Sequence, residues 1–256
     1  MSLARRNRDR ILAQMTASAP DMGGGFASAS APANDSGSPA ERAAAQIQLR
    51  LTHDLRRLKE IQSIAQRIEV KRTMLPEYQA WLDGLLAGHA APSGVAAEVL
   101  PVCMVWSIDT GDWPRALQLA AHVLAHDVPL PARYQRQAAV LIAEEIAEAA
   151  LKAQNAGATF PLTVLEQVEQ LTSTHDMPDQ VRAKLAKALG AELAGEAAST
   201  SAGPLGATFL SMQALEALRR AQALHDRVGV KDKIKRLEKA LAAPAAPLSA
   251  GTPPAA

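Results

Sequence analysis

Between Leu51 and Leu75 an apolar residue recurs mostly every three or four positions: Leu51, Leu55, Leu58, Ile61, Ala65, Ile68 and Leu75. A helical period of 3.6 residues puts these side chains on one face. The cations Arg56, Arg57, Lys59, Arg67, Lys71 and Arg72 then fall beside or opposite that face. A chain carrying this stretch is predicted to form a long basic helix, with an apolar seam for a second helix and a charged side that suits a polyanion such as DNA.

Composition extends this reading to the whole chain. With 256 residues and 48% hydrophobic content there is enough apolar side chain to bury a core. Aromatic residues make up only 3%, and alanine, which loses no side-chain entropy in a helix, is abundant throughout. The expectation is an all-α protein with almost no strand. A single cysteine, Cys103, excludes an internal disulfide framework and a multi-cysteine zinc site, and fits a reducing cytoplasm. The most apolar run, Val95 to Trp106, is interrupted by Glu98 and Pro101 and is too short to span a bilayer. Arg5 to Arg10 is followed by polar, glycine-rich sequence, which does not match a secretory signal.

The formal net charge of +1 conceals an uneven distribution. Residues 41–75 hold eight cations against four acids, and Arg5, Arg6, Arg8 and Arg10 stand against Asp9 alone. The N-terminal third therefore reads as the basic one and as the candidate polyanion surface.

Pattern and punctuation divide the chain into a basic N-terminal arm (1–15), a disordered linker (16–40) rich in Ala, Ser, Gly and Pro, and a basic helical region (41–88). The linker should leave the arm loosely tethered. The long helix is predicted to start near Pro39 or Ala40 and to stop before Pro76, followed by a short helix through Tyr78, Trp81, Leu82 and Leu85 that ends at Gly88. A helical body (95–195) follows, with segments at Val95–Ile108, Trp113–His126, Pro131–Asn155, Leu162–Thr172 and Pro178–Glu192. Asp112 suits an N-cap, Pro114 a first turn and Pro131 the first helical position, while Gly157 and Gly190 suit helix ends. A second linker (196–206), a C-terminal helix pair (207–241, as Phe209–Val228 and Val230–Leu241) and a disordered tail (242–256) complete the chain. Segments around Gly111–Leu117 and Ala217–Leu224 resemble pieces of tetratricopeptide helices. No 34-residue period persists, so stacked antiparallel helix pairs are expected and not a repeat array.

Candidate chemistry is sparse. A nuclease needs carboxylates converging on a divalent cation that activates water. Glu69-Val70-Lys71 matches a short nuclease fragment but lies in mid-helix without an upstream strand bearing an aspartate. Glu144 and Glu148, four residues apart, could share a metal as in helical-bundle carboxylate sites, although the Glu-x-x-His partners of such sites are missing. Asp109 and Asp112 flank Gly111 and could be cation ligands, but turn and cap chemistry accounts for both. His122 and His126 share a helix face without the intervening glutamate of a zinc hydrolase, and no phosphate-binding glycine loop occurs. No metal site or cofactor is expected from the residues. The aromatics Trp81, Trp106, Trp113, Tyr78 and Tyr134 have apolar flanks and read as core anchors.

Five blocks in order carry a family likeness: Leu58–Ile64 through Leu75-Pro76-Glu77-Tyr78; Met104–Trp113; Tyr134-Gln135-Arg136 through Ala143–Glu148; Asp176–Leu185; and Leu224–Lys231. Together with the Leu3-Ala4-Arg5-Arg6 start, this order resembles the GpM-type small terminase subunit of temperate, contractile-tailed phages. The low-complexity stretches 16–40 and 196–206 are where the chain departs from it. The resemblance implies a subunit that binds double-stranded phage DNA and, with a large ATPase subunit, directs cohesive-end cleavage and the start of genome packaging in the bacterial cytoplasm. It also implies homo-oligomerisation, for which the stripe Leu51, Leu55, Leu58, Ile61, Ala65 and Ile68 is the expected seam. The expected DNA contacts are Arg5, Arg6, Arg8, Arg10, Arg56, Arg57, Lys59, Arg67, Lys71 and Arg72, since phosphate neutralisation supplies affinity. Two alternatives stand beside this. The family is often labelled the endonuclease subunit, in which case Mg2+ and the candidates Glu144, Glu148, Asp109 and Asp112 would be needed. Otherwise the chain is a helical scaffold without a DNA role.

Overall fold

The computed structural model describes residues 3–17, 38–88, 91–199 and 203–242, with the backbone alone at Arg5, Thr16 and Ala17. Most of the expected linker at 16–40, and the tail beyond Ala242, lie outside the described residues. Eleven α-helices and no strand occur among the described residues, so the fold is all-α. They are α1 (Leu3–Ala17), α2 (Pro39–Glu60), α3 (Ile64–Met74), α4 (Gln79–Gly88), α5 (Gly94–Thr110), α6 (Trp113–Ala125), α7 (Ala138–Asn155), α8 (Leu162–Thr172), α9 (Asp179–Ala198), α10 (Gly203–Leu224) and α11 (Lys231–Ala242). A 3-10 turn, Leu75–Glu77, leads into α4.

The chain forms two compact units. The first comprises Met1–Glu145 and Gln167–His175, the second Ile146–Glu166 and Asp176–Ala256, so the boundaries fall inside α7, inside α8 and between α8 and α9.

In the first unit, α2 starts on a capping box. The Ser38 hydroxyl accepts from the Glu41 amide at 3.2 Å, and the Glu41 carboxylate accepts from the Ser38 amide at 2.6 Å, which satisfies two otherwise orphaned donors. The buried face of α2 is Ala40, Ala44, Ile47, Leu51, Asp54 and Leu58, a run with steps of four and three. An aspartate thus holds a position that the period reserves for apolar residues. Its partner is Tyr78, which is fully buried just after the 3-10 turn and donates its hydroxyl to Asp54 at 2.7 Å. The Tyr78 ring stands edge-on to Trp106 of α5, with centroids 5.9 Å apart.

Three sequence expectations are corrected here. The long helix does not run unbroken to Pro76: it stops at Glu60, Ile61 turns to extended backbone, and Ser63 caps α3 by accepting from the Gln66 amide. The N-terminal segment is not a loose arm but packs as α1 against α4 and α2. At Gly84 a Cβ would stand 2.2 Å from the Arg10 carbonyl oxygen, so α1 and α4 approach closely only because this residue has no side chain. Pro131 does not start a long helix; residues 131–137 form turns, with the Tyr134 amide donating to the Pro131 carbonyl at 2.8 Å, and α7 begins at Ala138. The remaining segments of the body fall where periodicity puts them, α8 to the residue.

α5 and α6 form a tight hairpin. Gly111 takes the left-handed conformation (φ 75°) that closes α5, and Asp112 caps α6 by accepting from the Arg115 amide at 3.3 Å.

In the second unit, α9 continues through Gly190 to Ala198 and α10 begins at Gly203, which shortens the expected linker 196–206 to a few residues. Gly190 is therefore not a helix end. Its Cβ would come 2.8 Å from the Leu218 side chain and 3.1 Å from the Ala214 carbonyl, so the glycine lets α9 and α10 pack closely. Ala183, Ala186, Leu218, Ala221, Val228 and Val230 form the core of this unit, with Ile234 and Leu237 of α11 packed on it.

Replacing Tyr78 by Phe keeps the ring but leaves one oxygen of the Asp54 carboxylate, a residue 9% exposed, without its donor; the other oxygen keeps His53 at 3.5 Å. The expected cost is about 1 to 3 kcal/mol, visible as a lower denaturant midpoint at unchanged slope. An unaltered midpoint would show that the hydrogen bond contributes nothing to the unit.

Candidate nucleic-acid interface

Because Asp54 and the apolar residues in register with it face inward, the roll of α2 is fixed, and with it the direction of every cation on the helix. Arg56, Arg57 and Lys59 are exposed, and none of them makes an ion pair among the described residues. They sit at the C-terminal end of α2, where a positive charge also complements the helix dipole.

The other three cations of this region are engaged. The Arg67 guanidinium donates to the Ile61 carbonyl at 2.6 Å, which caps the corner between α2 and α3. Lys71, only 17% exposed at its side chain, pairs with Asp109 at 2.5 Å. Arg72 pairs with Glu69 and donates to the Thr110 carbonyl at 3.1 Å, so α3 is held on the end of α5 by two cations. On α1, Arg6 is exposed, Arg8 lies 3.5 Å from Asp9, and Arg10 donates to Asn7 at 2.9 Å on an exposed surface. The Arg5 side chain lies outside the described residues.

The stripe expected to join copies of the chain is divided in the same way. Leu51 and Leu58 are buried within the unit, Leu55, Ile61 and Ile68 are half-buried, and Ala65 is exposed. The inner half of this seam is thus covered by the chain itself.

The candidate catalytic carboxylates each have a structural partner. Asp109 holds Lys71, Asp112 caps α6, Glu144 pairs with Arg136, and Glu148 pairs with Lys184 at 2.7 Å. Among the described residues no three His, Cys, Asp or Glu side chains converge to hold a metal ion. The His122 and His126 rings lie tilted at 59° to each other with centroids 4.5 Å apart. Cys103 is completely buried, and burial pushes its thiol well above the usual range, so it stays protonated and shielded from reagents. A groove of about 830 Å³ runs past Arg72, Gln79, Asp83, Thr110 and Arg115. Its two arginines are already held, Arg115 by Asp83 at 2.8 Å. No described helix is long and apolar enough to cross a membrane.

Two features escaped the sequence reading. The Asp54–Tyr78 pair joins residues 24 apart, and no local pattern announces it. The second is a basic C-terminal hairpin: residues 219–239 carry eight cations against three acids. Counting charge helix by helix, instead of by thirds of the chain, would have found it.

The phage small terminase subunit family matches residues 48–180, from the middle of α2 to the start of α9. The terminase, endonuclease subunit of Escherichia phage P2 is 35% identical over 198 residues, covering 77% of this chain and 73% of that protein. No solved structure matches the chain. The chain belongs to the phage small terminase subunit family, and its role lies in phage DNA packaging.

Proposed function

We propose that the chain binds double-stranded phage DNA through the exposed end of α2, with Arg56, Arg57 and Lys59 as phosphate contacts and Arg6, Arg8 and Arg10 of α1 adding to them. The helical body recruits the large ATPase subunit, and the pair directs cohesive-end cleavage and the start of packaging. The observation that carries this reading is the division of cations: three on α2 are exposed and unpaired among the described residues, whereas Arg67, Lys71 and Arg72 are spent on joining α3 to its neighbours. Arg67, Lys71 and Arg72 accordingly leave the proposed contact set.

Affinity should fall steeply with salt. Each neutralised phosphate contributes about −0.9 to the log–log slope, so R56A/R57A/K59A should flatten it by roughly 2.7 in an anisotropy titration with duplex DNA. Lys71→Gln should leave the slope alone and lower thermal stability instead. The opposite pattern, with Lys71 controlling the slope, would remove α2 from the interface.

The name of the phage P2 relative, an endonuclease subunit, favours a second reading, in which this subunit itself cuts DNA. The structural partners of Asp109, Asp112, Glu144 and Glu148 argue for a non-catalytic subunit. Purified chain with Mg2+ should leave cohesive-end DNA intact, and cutting should need the large subunit. Cleavage by the chain alone that is lost in E144Q/E148Q or D109N/D112N would establish the second reading.

Self-association is proposed for the outer edge of the seam, where Ile61, Ala65 and Ile68 adjoin Ile64, which is 74% exposed. Light scattering should show an oligomer that Ile64→Glu weakens. A monomer at tens of micromolar, where association of about −6 to −7 kcal/mol would register, contradicts it.

A further inference from the structure

In the second unit, charge gathers on α11. Ile234 and Leu237 turn toward the core, packed beside Leu224. At 100° per residue Lys235, Arg236 and Lys239 fall on the side away from the core with Asp232 among them, and Lys231 falls on its flank; all four cations are exposed and without an ion pair among the described residues. Lys231, Lys235 and Lys239 form a single ridge with steps of about 6 Å along the axis. The helix carries two acids, Asp232 and Glu238, and Glu238 is engaged with Arg219 of α10 at 2.6 Å.

This arrangement works against the helix that bears it. Lysines four apart repel, and Lys231 and Lys233 occupy the end where the helix dipole is positive. Lys187 of α9, whose ammonium donates to the Val228 carbonyl at 2.7 Å, is pushed toward its neutral form by burial and by Lys233 nearby. A bound polyanion would relieve the repulsion between the lysines and the unfavourable charge at the helix N-terminus.

We propose that the outer face of α11, formed by Lys231, Lys235, Arg236 and Lys239, is a second contact for the phosphate backbone of duplex DNA, additional to the end of α2. This rests on the DNA-binding reading above and extends it to the second unit. A duplex carries one negative charge per about 1.7 Å of axis, so each ammonium of the ridge has a phosphate within reach. An acidic protein surface is the competing occupant. The face holds no apolar or aromatic anchor and three of its four residues are lysine, whereas protein interfaces concentrate aromatic residues and are depleted in lysine. Backbone contacts to DNA need neither anchor nor base readout.

The test uses the full chain, a fluorescent duplex and anisotropy titrations between about 50 and 200 mM salt. K231Q/K235Q/R236Q/K239Q should flatten the log–log slope by roughly 3 to 4, and its melting temperature should hold or rise because repulsion is removed. K231R/K235R/K239R should keep the parental slope, since a phosphate accepts either cation. If the glutamine variant binds as the parent does while R56A/R57A/K59A is impaired, this inference falls and the α2 reading stands. If it keeps DNA affinity but loses capture of the purified large subunit, the face serves a protein and the inference falls. A parent chain that does not bind duplex at all overturns both readings.

Discussion

The buried hydrogen bond from Tyr78 to Asp54 organises the first unit. A carboxylate in the middle of an apolar helix face is tolerated only with a partner that replaces water, and Tyr78 supplies one at 2.7 Å. Burial and the adjacent carboxylate push the phenol far above its usual range, so it remains a donor at any physiological pH. The same ring packs edge-on to Trp106, which links α2 to α5 through one side chain. With the Asp54 face inward, Arg56 lies on the opposite side of α2, and Arg57 and Lys59 lie exposed on its two flanks. The surface proposed to meet DNA is thus a consequence of a polar contact in the core.

The second constraint is how the chain employs its cations. Two of those on α3 carry ion pairs or carbonyl contacts to α5, and a third closes the corner after α2. The half-buried Lys71–Asp109 pair fixes geometry and its charge is largely cancelled for any distant anion, while carbonyl contacts hold Arg67 and Arg72 in place. Exposed cations at the end of α2 keep their charge for solvent or ligand. A basic stretch in sequence is therefore two populations in space, separated by the break at Ile61 to Ser63.

Much of the fold was legible because local rules suffice for it. The α5–α6 hairpin follows from Gly111, Asp112 and Pro114 in succession, and the body helices follow from period and caps. Misreadings came where an unbroken period masked a local break or where tertiary contacts decide. The continuous period across residues 51–75 concealed a break that Ser63 makes by capping and Arg67 seals. Gly190 looks like a stop signal but serves close packing with Leu218, and Gly84 does the same for α1. At the candidate site, residue types were legible and their availability was not. Only the positions of Asp109, Thr110 and Tyr78, distant in sequence, separate Lys71 and Arg72 from Arg56, Arg57 and Lys59.

Competitive lysine labelling, read by mass spectrometry on the full chain with and without duplex DNA, examines that separation directly. The account predicts that Lys59 reacts readily in the free chain and is protected by DNA, while Lys71, held by Asp109, reacts slowly in both states. If DNA leaves Lys59 unprotected and shields a freely reactive Lys71 instead, the roll of α2 and the interface derived from it are both wrong.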